Sequence, residues 1–297
     1  MCTPDVEEEA VFQKRKRARV GDIEVAYLQV GRPGGRRLVL LHGMAETSES
    51  CWSHQLEGLE DVYECYAVDL RGHGQTTLGE ADGTLEQLGG DLLGFLETVA
   101  GPAVVVGFSM GATIALWASA QEATLIQHVV GMGGSSVISS ATAQFFRDKA
   151  DVVARRDLGT LHEEMVEEVH EMFVASPERA HDYGARRIAS VGEGDGYANA
   201  GTAMAGMRDR PLQPELARIS CPVDIVGGEF DKWCPRRASE IILDGLVHDQ
   251  VRFTEIPRVG HLMSVDQPEA VTGCIRSLVA DPPITRDVDG VAGDGIG

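Results

Sequence analysis

The sequence predicts an α/β protein: a mostly parallel sheet covered by helices on both faces, with a block of helices inserted between late strands. Three observations carry this expectation. Short apolar runs recur along the chain, helix-like segments follow them, and the alternation is interrupted once before it resumes. Short apolar strands that alternate with helices imply a parallel sheet buried on both sides.

Taken in order, "KRKRAR" (Lys14 to Arg19) reads as an exposed first strand whose charges resist edge pairing, in preference to a basic binding patch. "DIEVAYLQVG" alternates with period two, and "RRLVLLHG" is a short apolar run ending in glycine, so both read as strands. "DVYECYAVDLRGHG" gives a strand closed by a glycine-punctuated loop. "TLEQLGGDLLGFLETVAG" reads as an amphipathic helix with a terminal glycine. "PAVVVGF" is a buried strand and "SMGATIALWASAQ" its following helix. "IQHVVGMGG", "CPVDIVGGEFD" and "QVRFTEIPRVGH" read as further strands, and "QPEAVTGCIRSLVAD" as a closing helix.

The interruption defines the expected organisation. Residues 13–134 and 215–281 form the α/β core, and 135–214 a helical cap over the sheet's C-terminal edge. Within the cap, Met165, Val169, Met172 and Phe173 fall on one face at helical spacing, as a packing stripe. Residues 1–12 and the Gly-, Pro- and Asp-rich 282–297 read as disordered ends.

Composition narrows the function. The chain has 297 residues and a formal charge of -20, a field that repels phosphate backbones and anionic membranes. Six cysteines (Cys2, Cys51, Cys65, Cys221, Cys234, Cys274) lie far apart with no C-x-x-C pair, and read as reduced thiols. No apolar segment reaches membrane-spanning length, and the N-terminus is acidic where a secretory signal would be basic, so the expected location is cytoplasmic.

The chemistry is announced by Gly107-Phe108-Ser109-Met110-Gly111, a G-x-S-x-G set between a predicted strand and a predicted helix. A serine hydroxyl there serves no packing purpose. A sharp strand-to-helix turn needs neighbours without side chains, and it lifts that hydroxyl clear of the sheet. Serine is a weak nucleophile without a base, and the base needs an orienting acid. Asp231 follows a late strand and His261 follows the last one, giving the chain order Ser, Asp, His. All three stand at C-terminal strand ends, where open α/β sheets place their sites. Glu229 and Asp224 are rivals to Asp231, but Asp224 lies inside an apolar strand.

Other polar residues have plainer readings. His42 buttresses a loop, His73 is a turn residue, and Asp69, Arg71 and Gly72 form the polar network of that turn. Ser135 and Ser136 lack flanking elbow glycines. "EEVH" (Glu167 to His170) has the spacing of a di-iron half-site without a second copy, so it reads as a solvated acidic face. Trp52 and Trp117 are core or pocket-wall candidates. No phosphate loop, metal cluster or dinucleotide fingerprint is present in the sequence, so no cofactor and no metal are expected.

On "LLHGMAE", "DLRGHG", "GFSMGA" and the pair Asp231 and His261, the chain is identified as a member of the α/β-hydrolase superfamily, over Asp22 to Asp281. It resembles the capped serine hydrolases of the esterase and enol-lactonase branch. The resemblance implies Ser109 as nucleophile, His261 as general base and then acid, and Asp231 as its orienter. It also implies the backbone N–H groups of Met44 and Met110 as oxyanion donors. The elbow reads Gly111-Ala112 where many relatives have two glycines, and Ala45 stands where some capped relatives carry proline.

The expected reaction is cofactor-free cleavage of a small carboxylic ester or lactone through an acyl-enzyme. Serine at the elbow favours acyl chemistry, since relatives that open epoxides or remove halides use an aspartate there. Carbon–carbon cleavage of a diketone and perhydrolysis on the same triad remain open, as does a ligand-binding receptor with little turnover. As His261 must lose its proton to act, activity should rise with pH through a transition near neutrality.

Overall fold

Residues 15–288 are described by the structure, a computed structural model; the expectations for 1–12 and 289–297, and Cys2, lie outside them. The described strands are β1 (Arg15–Val20), β2 (Ile23–Gly31), β3 (Arg36–Leu41), β4 (Tyr63–Val68), β5 (Ala103–Phe108), β6 (Ile126–Met132), β7 (Val223–Gly228) and β8 (Val251–Ile256). They form one sheet in the order β1-β2-β4-β3-β5-β6-β7-β8. β2 pairs antiparallel with β1 and β4, and every other neighbour is parallel. This is the mostly parallel sheet the sequence predicts.

The apolar strands feed two layers because successive side chains point to opposite faces. Val39, Val105 and Ile225 join one layer with Leu88 and Leu92 of α2 (Leu85–Phe95) and Ile114 of α3 (Met110–Gln121). Leu38, Leu40 and Val106 join the other, with Trp52 and Leu56 of α1 (Ser48–Leu59). Trp52 is thus core, whereas Trp117 is half-buried at the rim of a separate surface groove. Apolar pattern alone left α1 unassigned, although Thr47 caps it through a reciprocal pair of bonds with Ser50, at 3.1 and 2.9 Å. The helix predicted over 84–101 starts at the Thr84 cap but ends in a π turn over Leu96–Ala100. Gly101, at φ 70, closes that turn by donating to the Leu96 carbonyl at 2.7 Å.

Between β6 and β7 stand α4 (Ser140–Ala154), α5 (Leu158–Met172), α6 (Ala180–Val191) and α7 (Asp195–Gly206). The predicted stripe on α5 is buried but divided. Met165 joins an apolar cluster with Val152, Leu161, Val191 and Tyr197. Val169, Met172 and Phe173 join the second layer of the core, with Phe173 already past the helix end. On the acidic face Glu164 and Glu168 share Lys149 at 2.7 and 2.6 Å. The helices that follow are α8 (Arg236–Gly245), α9 (Met263–Asp266) and α10 (Pro268–Ala280).

Two expectations need correction. The turn at 69–74 holds two networks in place of one. Asp69 accepts from Ser48 N and Oγ at 2.8 and 2.6 Å and pairs with Arg15, while Arg71 pairs with Asp22 and Asp91. Gly72 donates its N–H to Thr77 O at 3.3 Å within the turn, and a Cβ there would lie 2.5 Å from Gly196 Cα, where α7 seats on the core. Residues 282–288 are not a disordered tail. Asp287 lies beside the edge strand β8, accepting from Phe253 N at 2.7 Å and donating to Val251 O at 2.9 Å, so that part of the open edge is covered. No described helix is long and apolar enough to cross a membrane.

Candidate active site

The site begins where β5 stops. Ser109 has φ 52 and ψ -115, a conformation unfavourable for a residue with a side chain, and it immediately precedes α3. The flanking glycines make this turn possible. A Cβ on Gly107 would lie 2.3 Å from the Gly111 carbonyl oxygen, and one on Gly111 would lie 2.4 Å from that of Leu41. The turn is held from beneath by Ser109 N donating to Met132 O at 2.8 Å.

β7 and β8 deliver the other two groups. His261 Nε2 lies 3.1 Å from Ser109 Oγ, and its Nδ1 lies 2.8 Å from Asp231 Oδ2. Asp231 Oδ1 accepts from the N–H groups of Trp233 and Cys234 at 2.9 and 2.8 Å. Burial alone would raise the Asp231 carboxyl, but the His261 charge and hydrogen bond, with those N–H groups, hold it below its ordinary 3.8. An ionised carboxylate can only accept. The proton therefore sits on Nδ1, leaving Nε2 free to accept from the serine hydroxyl. All three predicted residues are brought together, with Asp231 and His261 buried.

A second carboxylate braces the His261 loop. The buried Asp266 accepts from Gly260 N at 3.2 Å and from Val174, Ala175 and Ser176 N at 3.0, 3.2 and 2.8 Å. It therefore ties the loop carrying His261 to the segment between α5 and α6. Sequence reading gave Asp266 no role.

The rival candidates lie elsewhere. Asp224 is engaged by His128 Nε2 at 2.7 Å and Arg252 Nε at 2.6 Å, inside the sheet. Glu229 accepts from Arg258 N at 2.8 Å. His42 is fully buried and accepts from Leu70 N at Nε2 (3.0 Å), which leaves Nδ1–H to donate to Gly43 O at 2.7 Å. Burial, with the neighbouring His73, pushes the His42 pKa down to about 3. His73 reaches Arg71 O at 3.1 Å and its pKa is likewise lowered by burial. Ser135 is bonded to Val137 O, and Ser136 is fully buried.

Met44 and Met110 both line the cavity above Ser109, and among the described residues no acceptor pairs with either backbone N–H. Met110 is the first residue of α3, so its amide also carries that helix's positive end. The cavity has a volume of about 490 Å³ and is mostly apolar. Sequence reading missed Phe145, Trp233 and Arg187 among its walls; of the residues read as a packing stripe, Met172 also lines the cavity and Met165 and Phe173 do not. Trp233 stands two residues after Asp231, an aromatic signal that passed unread. Cys234, also on the wall, has its thiol pushed well up by burial and by the Asp231 charge, so it stays protonated. The five described cysteines are free thiols.

A strained serine at the end of a central strand, answered by an aspartate and a histidine that follow the last two strands, belongs to a recognisable class. The model of the alpha/beta hydrolase family matches residues 38–273, and the chain belongs to that family. A 3-oxoadipate enol-lactonase 2 of Acinetobacter baylyi is 23% identical to it over 276 residues, which cover 91% of this chain and 98% of that protein. The solved enol-lactonase of Burkholderia xenovorans has a TM-score of 0.79 at 21% identity, over 90% of this chain and 100% of that one. An esterase of Thermogutta terrifontis has a TM-score of 0.75 at 25% identity, over 90% of this chain and 98% of that one.

Proposed function

We propose that the protein hydrolyses a small carboxylic ester or lactone by way of an acyl-enzyme on Ser109. His261 takes the hydroxyl proton as Ser109 Oγ attacks the carbonyl carbon. The oxygen of the tetrahedral intermediate takes the negative charge and rests on the Met44 and Met110 amides. His261 then returns the proton to the departing alkoxide, which in a lactone remains tethered to the acyl group. Water, deprotonated by the same imidazole, releases the acid and restores the serine. Asp231 holds the imidazole in the tautomer this cycle needs and offsets its charge when protonated. Residues 135–214 act as the cap that closes the cavity over a core of 13–134 and 215–281.

The observation that carries this reading is the continuous relay from Asp231 through His261 to Ser109, at 2.8 and 3.1 Å, opening on the largely apolar cavity. Similarity to proteins named enol-lactonase and esterase supports the bond type. The test is turnover of short-chain 4-nitrophenyl esters and of five- and six-membered lactones by the wild type and Ser109→Ala. The reading expects a loss of about a thousandfold or more in kcat with the fold retained. Undiminished turnover by Ser109→Ala would refute it.

A further inference from the structure

Glu46 is a fully buried carboxylate that the acyl cycle does not use. It stands in the loop between β3 and α1, two residues after Met44. Its Oε2 accepts from Gly43 N at 2.8 Å, and its Oε1 accepts from the Tyr183 hydroxyl on α6. Among the described residues no cation lies within ion-pairing distance, so the Gly43 N–H and the Tyr183 hydroxyl, with the buried Cys51 thiol also hydrogen-bonded to the carboxylate, hold the charge in place. A buried carboxylate is expensive, and a loop needing only an apolar plug would be better served without it. Burial and the Glu46 charge together push the Tyr183 hydroxyl pKa well up, which keeps it a donor.

The fit is tight on every side of the loop. A Cβ on Gly43 would lie 2.7 Å from Glu46 Oε2 and 3.0 Å from the Phe108 ring, so the carboxylate closes directly over that residue. The Gly43 carbonyl, which belongs to the same peptide unit as the Met44 N–H, takes the His42 Nδ1–H bond. Ala45, next along, is held at φ 58, a left-handed conformation that proline's fixed φ could not adopt. Its methyl is buried among Val152, Leu161, Met165 and Tyr197 of the inserted helices. His42 thus fixes the loop from the core, and Glu46 with Ala45 fixes it from the insert.

We propose that Glu46 is a positioning residue for the Met44 amide, clamped by the Tyr183 hydroxyl, so that the inserted helices complete the oxyanion site as well as roofing the cavity. This rests on the acyl-enzyme reading above. A misplacement of one reacting group by about 1 Å can cost on the order of 100-fold in rate, and losing an oxyanion donor costs as much or more.

The experiment compares wild type, Glu46→Gln, Tyr183→Phe and the double variant on 4-nitrophenyl butyrate, with Ser109→Ala alongside. Each variant is also titrated with an alkyl trifluoromethyl ketone, whose serine adduct places an oxyanion at the donors, and with butyrate. The expected result is a fall in kcat of about 10- to 100-fold for each single variant, with KM changed less than about threefold. Trifluoromethyl ketone affinity should fall in step with kcat while butyrate affinity holds. The double variant should lose little beyond either single one. Tyr183→Phe removes one oxygen and keeps the ring, so it guards against misfolding of Glu46→Gln; melting temperatures identify any variant that fails to fold. Folded Tyr183→Phe with wild-type kcat and ketone affinity, beside an inactive Ser109→Ala, would overturn the Glu46 assignment alone. An active Ser109→Ala would overturn the acyl-enzyme reading and this assignment with it.

Discussion

Gly107 and Gly111 meet across the turn that carries Ser109, so closely that a Cβ on the first would lie 2.3 Å from the carbonyl oxygen of the second. The obstacle is backbone, which cannot swing aside as a side chain tip can. Gly107→Ala should therefore cost about 3 kcal/mol of stability, at the upper end of ordinary overpacking, and lower kcat by displacing the hydroxyl from His261. Urea unfolding and steady-state kinetics check both effects; a neutral result would mean the turn is looser than its geometry states.

Two buried aspartates, Asp224 in β7 and Asp231 just after it, separate a group that acts on the imidazole from one that acts on the sheet alone. Asp231→Asn should leave the fold intact and lower kcat by about three to four orders of magnitude, since an amide no longer fixes the imidazole tautomer. Asp224→Asn should do the opposite, because it faces His128 and Arg252 inside the sheet. Breaking that network should cost about 3 kcal/mol and leave the kcat of the folded protein unchanged. Parallel denaturation and kinetics on the two variants decide the assignment.

Acid stability follows from the lowered Asp231 carboxyl. A group depressed on folding stabilises the protein above its unfolded pKa, and that contribution is lost as pH falls through the folded value. The contribution should be complete above about pH 5 and fade below the ordinary 3.8. Urea midpoints of wild type and Asp231→Asn should therefore converge as the pH is lowered from 6 to 3. A constant separation would show that the carboxylate's ionisation adds nothing.

Arg187 supplies a buried charge to a mostly apolar cavity whose lining also includes Glu168 and Arg237. Arg187 is buried at 5% exposure, its Nη1 donates to the Met172 sulfur at 3.9 Å, and its Nε has no partner among the described residues. Esters carrying a distal carboxylate should be favoured over neutral ones of the same length. Arg187→Met should raise KM about tenfold for 4-nitrophenyl hydrogen adipate and little for its methyl ester, as loss of one charged hydrogen bond implies. Equal changes for both esters would make the guanidinium a packing group.

The elbow was legible because its constraint is local: a strand, a turn that tolerates no side chain, and a helix follow one another within a dozen or so residues. Asp231 and His261 were legible through strand order, since the fold brings successive strand ends to one edge. Glu46 and Tyr183 were not. They lie 137 positions apart, and neither periodicity nor motif encodes that meeting. Helix α1 carried a readable capping pair in Thr47 and Ser50, but its hydrophobic spacing is interrupted by polar residues. Residues 282–288 misled through composition: a segment poor in apolar side chains can still be ordered when a strand edge offers its backbone groups.

The most direct test of the whole account is stoichiometric labelling with a fluorophosphonate, followed by peptide mass mapping of the wild type and His261→Ala. The account predicts one adduct per chain, on the peptide containing Ser109, with labelling slowed by at least about a hundredfold in His261→Ala. Modification at Ser135, Ser136 or any other residue, or equally rapid labelling without the imidazole, would contradict it.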